Sequence, residues 1–579
     1  MIKTKHQIYL EAKIRIIGSS DYSSLYMTKA LYNLLTSIVE EVTQDEKIIF
    51  TTLFSRVAFL GNKYRLNAQF LYYLHTFRRD NERMLISEES DHYVKLGSFL
   101  VDQLISRAFL GETEIDEIPE DISDKFNIDK LEIVKFKPIV EAIVDSVDVE
   151  KFIIYFYEDE NGSVLRQAIF DKGDRNELFN DSVVLLDRSF QFPIHVNFVD
   201  VEIMEDGSYV PRAMVIEPDY LLDVTAVANC FKDYGTEPML RLISKFKRVE
   251  NSIPLMVGNV SNLFLDEIIS NPDVKFNDLI PSIFRLDPLG LSVYTDREIR
   301  ELISIARLHY LNLKRAIALD IPTQGIKRKK VYLEPSFYSR DYGIQGRLDL
   351  FHYDEENNKY DIVELKSGKP WRANVYGLSA SHYSQTLLYD LMVKSAFGYY
   401  RKPNNYILYS KLNEKSLKYA PPVKSQQYEA MKVRNDLIAI EYKMGASPSG
   451  AAALFHYLQM DNFPKTKGFE MNAVNEFSKL YQKLSRLERS YFEEFSSFIS
   501  REHRMAKIGE HGIHKSNGLS ALWLENLDEK EDRFAILKML VISSNKSPAV
   551  VVKVTTMVSA NSSTSSSIID KGKNSGLTV

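Results

Sequence analysis

Cysteine is almost missing from this sequence. Cys230 is the single cysteine among 579 residues, which excludes an intramolecular disulfide, a four-cysteine iron-sulphur cluster and a zinc site built from cysteines. We therefore expect Cys230 to be a small, buried, apolar residue. One cysteine without a recognisable export signal predicts a cytoplasmic protein.

Long apolar runs and an excess of positive charge are missing as well. Charged residues interrupt every apolar stretch near the N-terminus, and no stretch has the length of a membrane span, so no membrane partner is expected. The net charge is -6 and the pI is near 6.1, which excludes a generally basic surface. Any contact with DNA must then come from local patches of lysine and arginine.

A phosphate-binding loop of the GxxxxGK[ST] type is the third absence. The SGK triplet that begins at Ser367 comes nearest to it, but Val363 stands where the earlier glycine is required. The sequence therefore predicts no ATPase site in this chain.

The rest of the composition is that of a globular protein, with 45% hydrophobic and 26% charged residues. The pattern of apolar and polar residues changes along the chain. Helical spacing gives way to short strands, then to a mixed segment and again to helices. The predicted divisions are a helical domain at 1–118, a small β-rich, barrel-like domain at 119–217, an α/β domain at 218–405, a helical region at 406–510 and a mixed segment at 511–579 that ends in a Ser-rich, low-complexity tail.

Two adjacent strands are predicted within the α/β domain, in the runs YGIQGRLDL (342–350) and DIVELKSGK (361–369). Apolar residues occupy every second position, which is the period of a strand with one packed and one polar face. The polar run DEENNK between them suits a hairpin loop. The polar positions that alternate with the apolar ones are Arg347, Asp349, Glu364 and Lys366.

The pairing of these strands decides whether two carboxylates meet. Asp349 joins Glu364 on one face only if Tyr353 lies opposite Tyr360, and a slip by one residue would send Asp349 to the other face. Two converging carboxylates suit Mg²⁺ or Mn²⁺, and Lys366 two residues further can orient or help to deprotonate a water. This combination is what hydrolysis of a phosphodiester requires.

A helix is predicted from Leu378 to about Phe397. His382, Gln385 and Tyr389 fall at i, i+3 and i+7 on one stripe of this helix, whereas several leucines can face the sheet. The polar stripe is therefore placed to touch the scissile strand of a substrate.

Together, the GxxGRxD, ELKSGK and HxxQxxxY elements resemble the PD-(D/E)xK nuclease superfamily, and within it the RecB-like branch with its CRISPR-associated exonucleases and the nuclease module of flap-processing nuclease-helicases. The resemblance covers about residues 218 to 405 and implies a restriction-endonuclease-like core, a mixed sheet flanked by helices, in a multi-domain α+β protein. It implies Asp349, Glu364 and the carbonyl of Leu365 as ligands of Mg²⁺ or Mn²⁺. It also implies Lys366 as the catalytic lysine and Gln385 with Tyr389 as the QxxxY element.

The sequence departs from this branch at two positions. Members carry a GxxxH histidine ligand, but here the pattern runs from Gly258 to Asn262, and an amide oxygen is a weaker metal ligand. Many members also hold an iron-sulphur cluster, and Cys230 lies near its first cysteine position without the other three. We expect no such cluster. Asn262 is either a metal ligand or a residue of the helix surface.

Further substrate contacts are predicted around the two strands, each with a structural alternative. Lys327 and Arg328 in the run KRKK either follow a phosphate backbone or belong to a solvated loop. Trp371 either stacks a base or packs. Arg347 and His382 complete the candidate substrate-binding residues, and Glu334 lies where such families place a further acidic residue.

Two functions follow from these patterns. The first is a metal-dependent deoxyribonuclease that acts on single-stranded ends or flaps in DNA repair, recombination or defence, with a helicase motor in cis or in trans. The second is a catalytically weak or inactive DNA-binding or scaffolding module of a helicase complex. A restriction-type endonuclease is a third, but no target-reading domain is recognisable. Cleavage polarity, exonuclease or endonuclease action and DNA or RNA preference stay open.

Overall fold

The structure of the chain is a computed structural model. It describes residues 4–20, 22–46, 50, 53–82, 86, 91–112, 118–123, 125–126, 133–158, 162, 164–172, 175–246, 252–374, 376–509, 518–532, 534 and 536. The predicted Ser-rich tail lies outside the described residues.

Among the described residues before position 124, the secondary-structure elements are helices. In the longest of them, residues Leu31, Leu35 and Ile38 are buried at helical spacing, and Ser23 accepts a hydrogen bond from the first turn as the N-cap. The helices are α1 Lys5–Ile17, α2 Ser24–Thr43, α3 Leu53–Lys63, α4 Ala68–Glu82, α5 Asp91–Ile105 and α6 Glu120–Ser123, and a π-helical turn at Ser106–Leu110 follows α5.

The strands predicted at 119–217 form a ring. They are β1 Ile133–Asp148, β2 Ile153–Tyr157, β3 Arg166–Ile169, β4 Ile194–Met204, β5 Tyr209–Val210 and β6 Ala213–Ile216, and α7 Asn180–Ser189 lies between β3 and β4. The pairing order β1-β2-β3-β5-β4 closes because β4 also pairs with β1, and β6 pairs with β4. Small barrels of this size include oligonucleotide-binding folds.

A second, mixed sheet carries the predicted site. Its strands are β10 Val331–Leu333, β13 Leu350–Asp354, β14 Lys359–Lys366, β15 Asn404–Tyr409 and β16 Leu417–Tyr419, in the order β10-β13-β14-β15-β16. Strands β14 and β15 run parallel, and the other neighbouring pairs are antiparallel. The sheet therefore continues past residue 405, where the sequence places the end of the α/β domain. Smaller pairings link β7 Leu222–Asp223, β11 Ser336–Ser339 and β12 Ile344–Arg347, and also β8 Phe231–Lys232 with β9 Gly235–Thr236.

The predicted register of the hairpin is confirmed. Tyr353 lies opposite Tyr360, and Leu350 lies opposite Val363. Positions Tyr360 to Leu365 of β14 are all buried, so the polar face that carries Glu364 is covered as well as the apolar face. Strand β14 lies in the middle of the sheet between β13 and β15, and packed elements cover both of its faces.

Helices cover the mixed sheet on both sides. The predicted helix at 378–397 is α15 Ala380–Phe397, and the region from Tyr383 to Val393 is buried all round. Before the sheet come α8 Val224–Ala228, α9 Leu240–Phe246, α10 Ile253–Ser270, α11 Phe276–Leu286, α12 Pro288–Ser292, α13 Asp296–Arg315 and α14 Ile321–Thr323. After it come α16 Lys424–Ala446, α17 Pro448–Tyr457, α18 Phe469–Lys483, α19 Arg486–Ile508, α20 Ala521–Leu524 and α21 Leu527–Asp532.

Two large hydrophobic cores extend across the divisions predicted from the sequence. One core joins barrel residues such as Phe198 to Met392 of α15 and Ile438 of α16. The other joins Leu35 of the N-terminal helices to Val363 of β14. The mixed sheet therefore packs between the N-terminal helices and the barrel. Among the described residues, no helix has both the length and the hydrophobicity to cross a membrane.

Candidate active site

The hairpin brings Asp349 and Glu364 together at the end of β13. Asp349 comes directly before Leu350, and since Leu350 lies opposite Val363, Asp349 falls opposite Glu364. The Asp349 Oδ2 accepts a hydrogen bond from the backbone N–H of Leu365 at 2.6 Å. The backbone of β14 thereby fixes the orientation of this carboxylate.

A hydrogen-bond network links the predicted catalytic residues. Lys366 Nζ donates to Glu364 Oε1 at 2.7 Å and to Gln385 Oε1 at 2.8 Å. The amide nitrogen of Gln385 donates to the same Glu364 oxygen at 2.7 Å. Helix α15 thus presents Gln385 to the strand pair, as its predicted stripe requires.

Tyr389 ties the same network to the GxxGR segment. Gln385 Nε2 donates to the Tyr389 hydroxyl at 2.9 Å, and that hydroxyl donates to the carbonyl of Arg347 at 2.8 Å. A Cβ on Gly346 would come within 3.0 Å of the Tyr389 ring. The glycine at this position therefore lets the ring approach the strand.

The electrostatics of the carboxylate pair favour a bound cation. Burial, and next the nearby charge of Glu364, raise the pKa of Asp349 well above its usual range. Glu364 is 3% exposed, and its buried Oε2 receives no hydrogen bond from the described residues. Unpaired anionic oxygen is costly in such a place, so a divalent cation fits between these carboxylates.

The remaining predicted metal ligands are less closely defined. Leu365 contributes its N–H to Asp349, while the role predicted for its carbonyl stays a prediction. Asn262 lies one turn after Gly258 on the same face of α10, and a Cβ on Gly258 would lie 3.7 Å from Ser367 Oγ. Across the described ranges, no group of three or more His, Cys, Asp or Glu side chains is arranged to hold a metal.

His382 lies beside the network as a neutral side chain. Its Nδ1 is 3.1 Å from the Tyr409 hydroxyl. Burial, and next the charge of Lys366, lower the pKa of His382 to about 4. At neutral pH the imidazole can therefore accept or donate a hydrogen bond without carrying charge.

A groove of about 810 Å³ opens in front of Lys366 and His382. It lies between the mixed sheet, the β8–β9 hairpin, α9 and the loop before α18. Of the described residues that line it, Asp233 and Glu470 are acidic, against seven basic ones. The basic residues are Lys232, Arg241, Lys366, Lys369, Arg372, Lys465 and Lys467.

Ion pairs neutralise only part of this charge. Lys232 binds Glu470 at 2.5 Å, and Arg372 binds Asp233 at 2.6 Å. Among the described residues, Arg241, Lys369, Lys465 and Lys467 form no direct ion pair, although the charge of Glu237 acts on Lys465 and that of Asp233 acts on Lys467. Local positive charge of this kind is what the acidic chain needs for contact with a nucleic acid.

The basic residues of this groove outside the ELKSGK segment were not among the predicted site residues. They come from positions that lie more than two hundred residues apart, such as Lys232 and Lys467. The run KTKG at 465–468 is a visible signal in the sequence, because it places two lysines beside a glycine in a loop. Because this run is far in sequence from the GxxGRxD, ELKSGK and HxxQxxxY elements, the sequence alone does not indicate that it lines the same groove.

The predicted substrate-binding residues separate into two groups. Trp371 is 76% exposed and lines the groove with His382. Arg347 lies at the end of β12, paired with Glu334 at 3.1 Å. These positions surround the carboxylate pair.

Lys327 and Arg328 lie elsewhere. Lys327 Nζ binds Asp354 at 2.8 Å, at the far end of the β13–β14 hairpin, and Arg328 donates to the carbonyl of Ile269 at 3.3 Å. The structure therefore does not bring these two cations to the carboxylate pair. The KRKK run is close to the site residues in sequence, but it lies at the opposite end of the β13–β14 hairpin from the carboxylate pair.

Comparison of the chain with models of known protein families gives no match, and comparison with curated proteins gives no significant match.

Proposed function

We propose that this chain is a metal-dependent deoxyribonuclease that hydrolyses DNA phosphodiester bonds on single-stranded ends or flaps. The observation that carries the proposal is the buried network of Asp349, Glu364, Lys366 and Gln385, in which one oxygen of Glu364 receives no hydrogen bond from any described residue. A buried pair of carboxylates costs stability, and a bound Mg²⁺ or Mn²⁺ would remove that cost.

Each side chain of the network has a task that its contacts support. Asp349 and Glu364 would hold the cation, which supplies positive charge at the scissile phosphate. Lys366 lies between Glu364 and Gln385 and can orient the attacking water through its one remaining N–H group. Gln385 and Tyr389 keep Glu364 and the backbone of Arg347 in place.

The groove beside Lys366 supports a nucleic-acid substrate. Its lysines that form no direct ion pair suit phosphates, and the exposed ring of Trp371 can stack a base that is not paired with another strand. A single strand offers such bases, whereas a duplex hides them. This is the support for single-stranded ends or flaps, and a helicase motor that supplies them remains part of the proposal.

The scaffolding function is the second candidate. It is favoured by Asn262 at the position of the expected histidine, and by the lack of a third His, Cys, Asp or Glu beside the carboxylates in the described residues. In this alternative the groove binds DNA without cutting it.

The test is cleavage of end-labelled single-stranded, duplex and flapped DNA with Mg²⁺ or Mn²⁺, comparing the wild type with Lys366→Met. The matched control is Lys411→Met, which removes an exposed lysine outside the groove. We expect cation-dependent cutting of single strands and flaps that Lys366→Met loses and Lys411→Met keeps. Binding of DNA by the wild type without any cutting would refute the nuclease and support the scaffold.

A further inference from the structure

A second cleft, of about 870 Å³, lies at the opposite end of β14. Its walls come from the end of α3, the turn after α14, the start of β14 and the loop between α15 and β15. Lys359 and Lys366 mark the two ends of β14, and seven steps of about 3.3 Å place the second cleft about 23 Å from the Lys366 end. It is therefore separate from the candidate active site.

The second cleft is strongly basic. Among the described residues of its lining, Glu46 is the one acidic residue, against Lys63, Arg65, Lys359, Arg401 and Lys402. Such an excess of positive charge in a protein of net charge -6 suits a ligand with several negative charges.

Three of these five cations have no carboxylate partner among the residues that the structure describes, whereas Lys63 and Lys359 do. Lys63 binds Glu46 at 2.5 Å, and Lys359 lies 3.6 Å from the buried carboxylate of Asp361. Arg65 instead donates to the neutral carbonyl of Asn357 at 2.5 Å.

Arg401 also has a neutral partner. It donates to the side-chain oxygen of Asn358 and lies over the ring of Tyr360 at 5.5 Å. For Lys402, an exposed residue, the described part of the chain provides no carboxylate partner. Three cations from two separate segments, Arg65, Arg401 and Lys402, thus face the cleft without an acidic partner among the residues that the structure describes.

Tyr400 adds an aromatic surface beside these charges. It stands between Gly398 and Arg401 in the loop after α15, and it is 84% exposed. An exposed ring next to unpaired cations is the combination that binds a base and its neighbouring phosphates.

We propose that this cleft is a second binding site for a nucleic-acid strand, with Arg65, Arg401 and Lys402 on phosphates and Tyr400 stacked on a base. The site needs none of the chemistry proposed for Asp349 and Glu364. It would hold a strand at the end of the sheet that is remote from Lys366.

The test uses the full chain with Glu364→Gln, which should slow any cleavage about a thousandfold, and a fluorescently labelled single strand of about 20 nucleotides. Binding is measured by anisotropy across a range of salt concentrations. We expect the pair Arg65→Glu and Lys402→Glu to raise Kd about tenfold or more, and to make the slope of log K against log salt shallower by about 0.7 for each phosphate that is no longer neutralised. Tyr400→Ala should raise Kd about fivefold.

The matched control is the pair Lys29→Glu and Lys125→Glu, which reverses two exposed charges that line neither cleft. Circular dichroism establishes that all variants are folded. An unchanged Kd and salt slope in the cleft variants would overturn the second site. If a labelled mononucleotide binds this cleft but the cleft substitutions leave the affinity for the strand unchanged, the cleft is not a binding site for a strand. If the wild-type protein does not cleave DNA, that result contradicts the proposed nuclease but not the second binding site.

Discussion

Glu364 receives two hydrogen bonds on one carboxylate oxygen and, within the described ranges, none on the other. Asp349, beside it, is held by a backbone N–H and carries a raised pKa because of burial and the charge of Glu364. At the residue scale, burial of these two carboxylates therefore lowers the free energy of unfolding. This loss can be measured without any substrate.

The first prediction concerns Asp349→Asn without divalent cations. The folded state keeps the Asp349 proton to higher pH than the unfolded chain, whose aspartates titrate near 3.9. The unfolding free energy of the wild type therefore falls as the pH rises from the unfolded pKa through the folded one. At pH 7 Asp349→Asn should therefore have a higher free energy of unfolding than the wild type.

Urea unfolding of both proteins at pH 5 and pH 8 checks this sign. The advantage of Asp349→Asn should grow towards pH 8, and added Mn²⁺ should stabilise only the wild type. A variant that is no more stable than the wild type at pH 8 would mean that burial and the charge of Glu364 do not raise the pKa of Asp349.

The second prediction concerns Gly346. A methyl group at Gly346→Ala meets the Tyr389 ring at 3.0 Å and must displace it. Because Tyr389 holds Gln385 and the backbone of Arg347, we expect cleavage to fall about tenfold or more while the fold persists. Gly18→Ala, at the C-terminal end of α1, is the control, since Gly18 lines neither cleft. Equal loss of cleavage in both variants would mean that Tyr389 is not the cause.

At the element scale, sequence patterns specified the β13–β14 hairpin well. The alternation of apolar residues and the DEENNK run sufficed for the pairing of Tyr353 with Tyr360. They did not reveal that Glu364 is buried, because burial of the second face depends on α15 and on helices far away in the chain. The predicted helix and its Gln385–Tyr389 stripe were available from spacing alone.

The third prediction concerns the loop before α18, whose Lys465 and Lys467 line the groove by the site. Reversal of both charges should weaken binding of a single strand and make its salt slope shallower by about 0.7 for each phosphate that the loop no longer neutralises. Reversal of Lys479 and Lys483, exposed on α18 itself, is the control. If the two pairs of substitutions weaken binding equally, the loop has no specific role in the groove.

At the scale of the whole molecule, Arg434 of α16 joins regions that the sequence treats as separate. Its buried guanidinium donates to the carbonyl of Ile216 at the end of β6, to those of Glu217 and Tyr220 after it, and to that of Gly343 before β12. Gly343 has a φ of 60°, and a Cβ there would collide with this guanidinium. No local pattern in the sequence predicts such contacts, because the partners lie 91 to 218 residues before Arg434.

The fourth prediction is that Arg434→Met lowers the unfolding free energy by about 3 kcal/mol or more, because several buried carbonyls lose their donors. Denaturant unfolding measures the change, with Arg188→Met, an exposed arginine on α7, as the control. A loss below about 1 kcal/mol would show that water or neighbouring donors replace the guanidinium.

The nuclease is tested by Mn²⁺-dependent cleavage of an end-labelled single strand by the wild type and by Glu364→Gln, with Glu414→Gln in an exposed turn as the control. We expect the wild type and Glu414→Gln to cut the strand, and Glu364→Gln to be slower by about a thousandfold. Equal cutting by Glu364→Gln and the wild type would contradict this expectation, since the buried carboxylate would then have no part in the reaction.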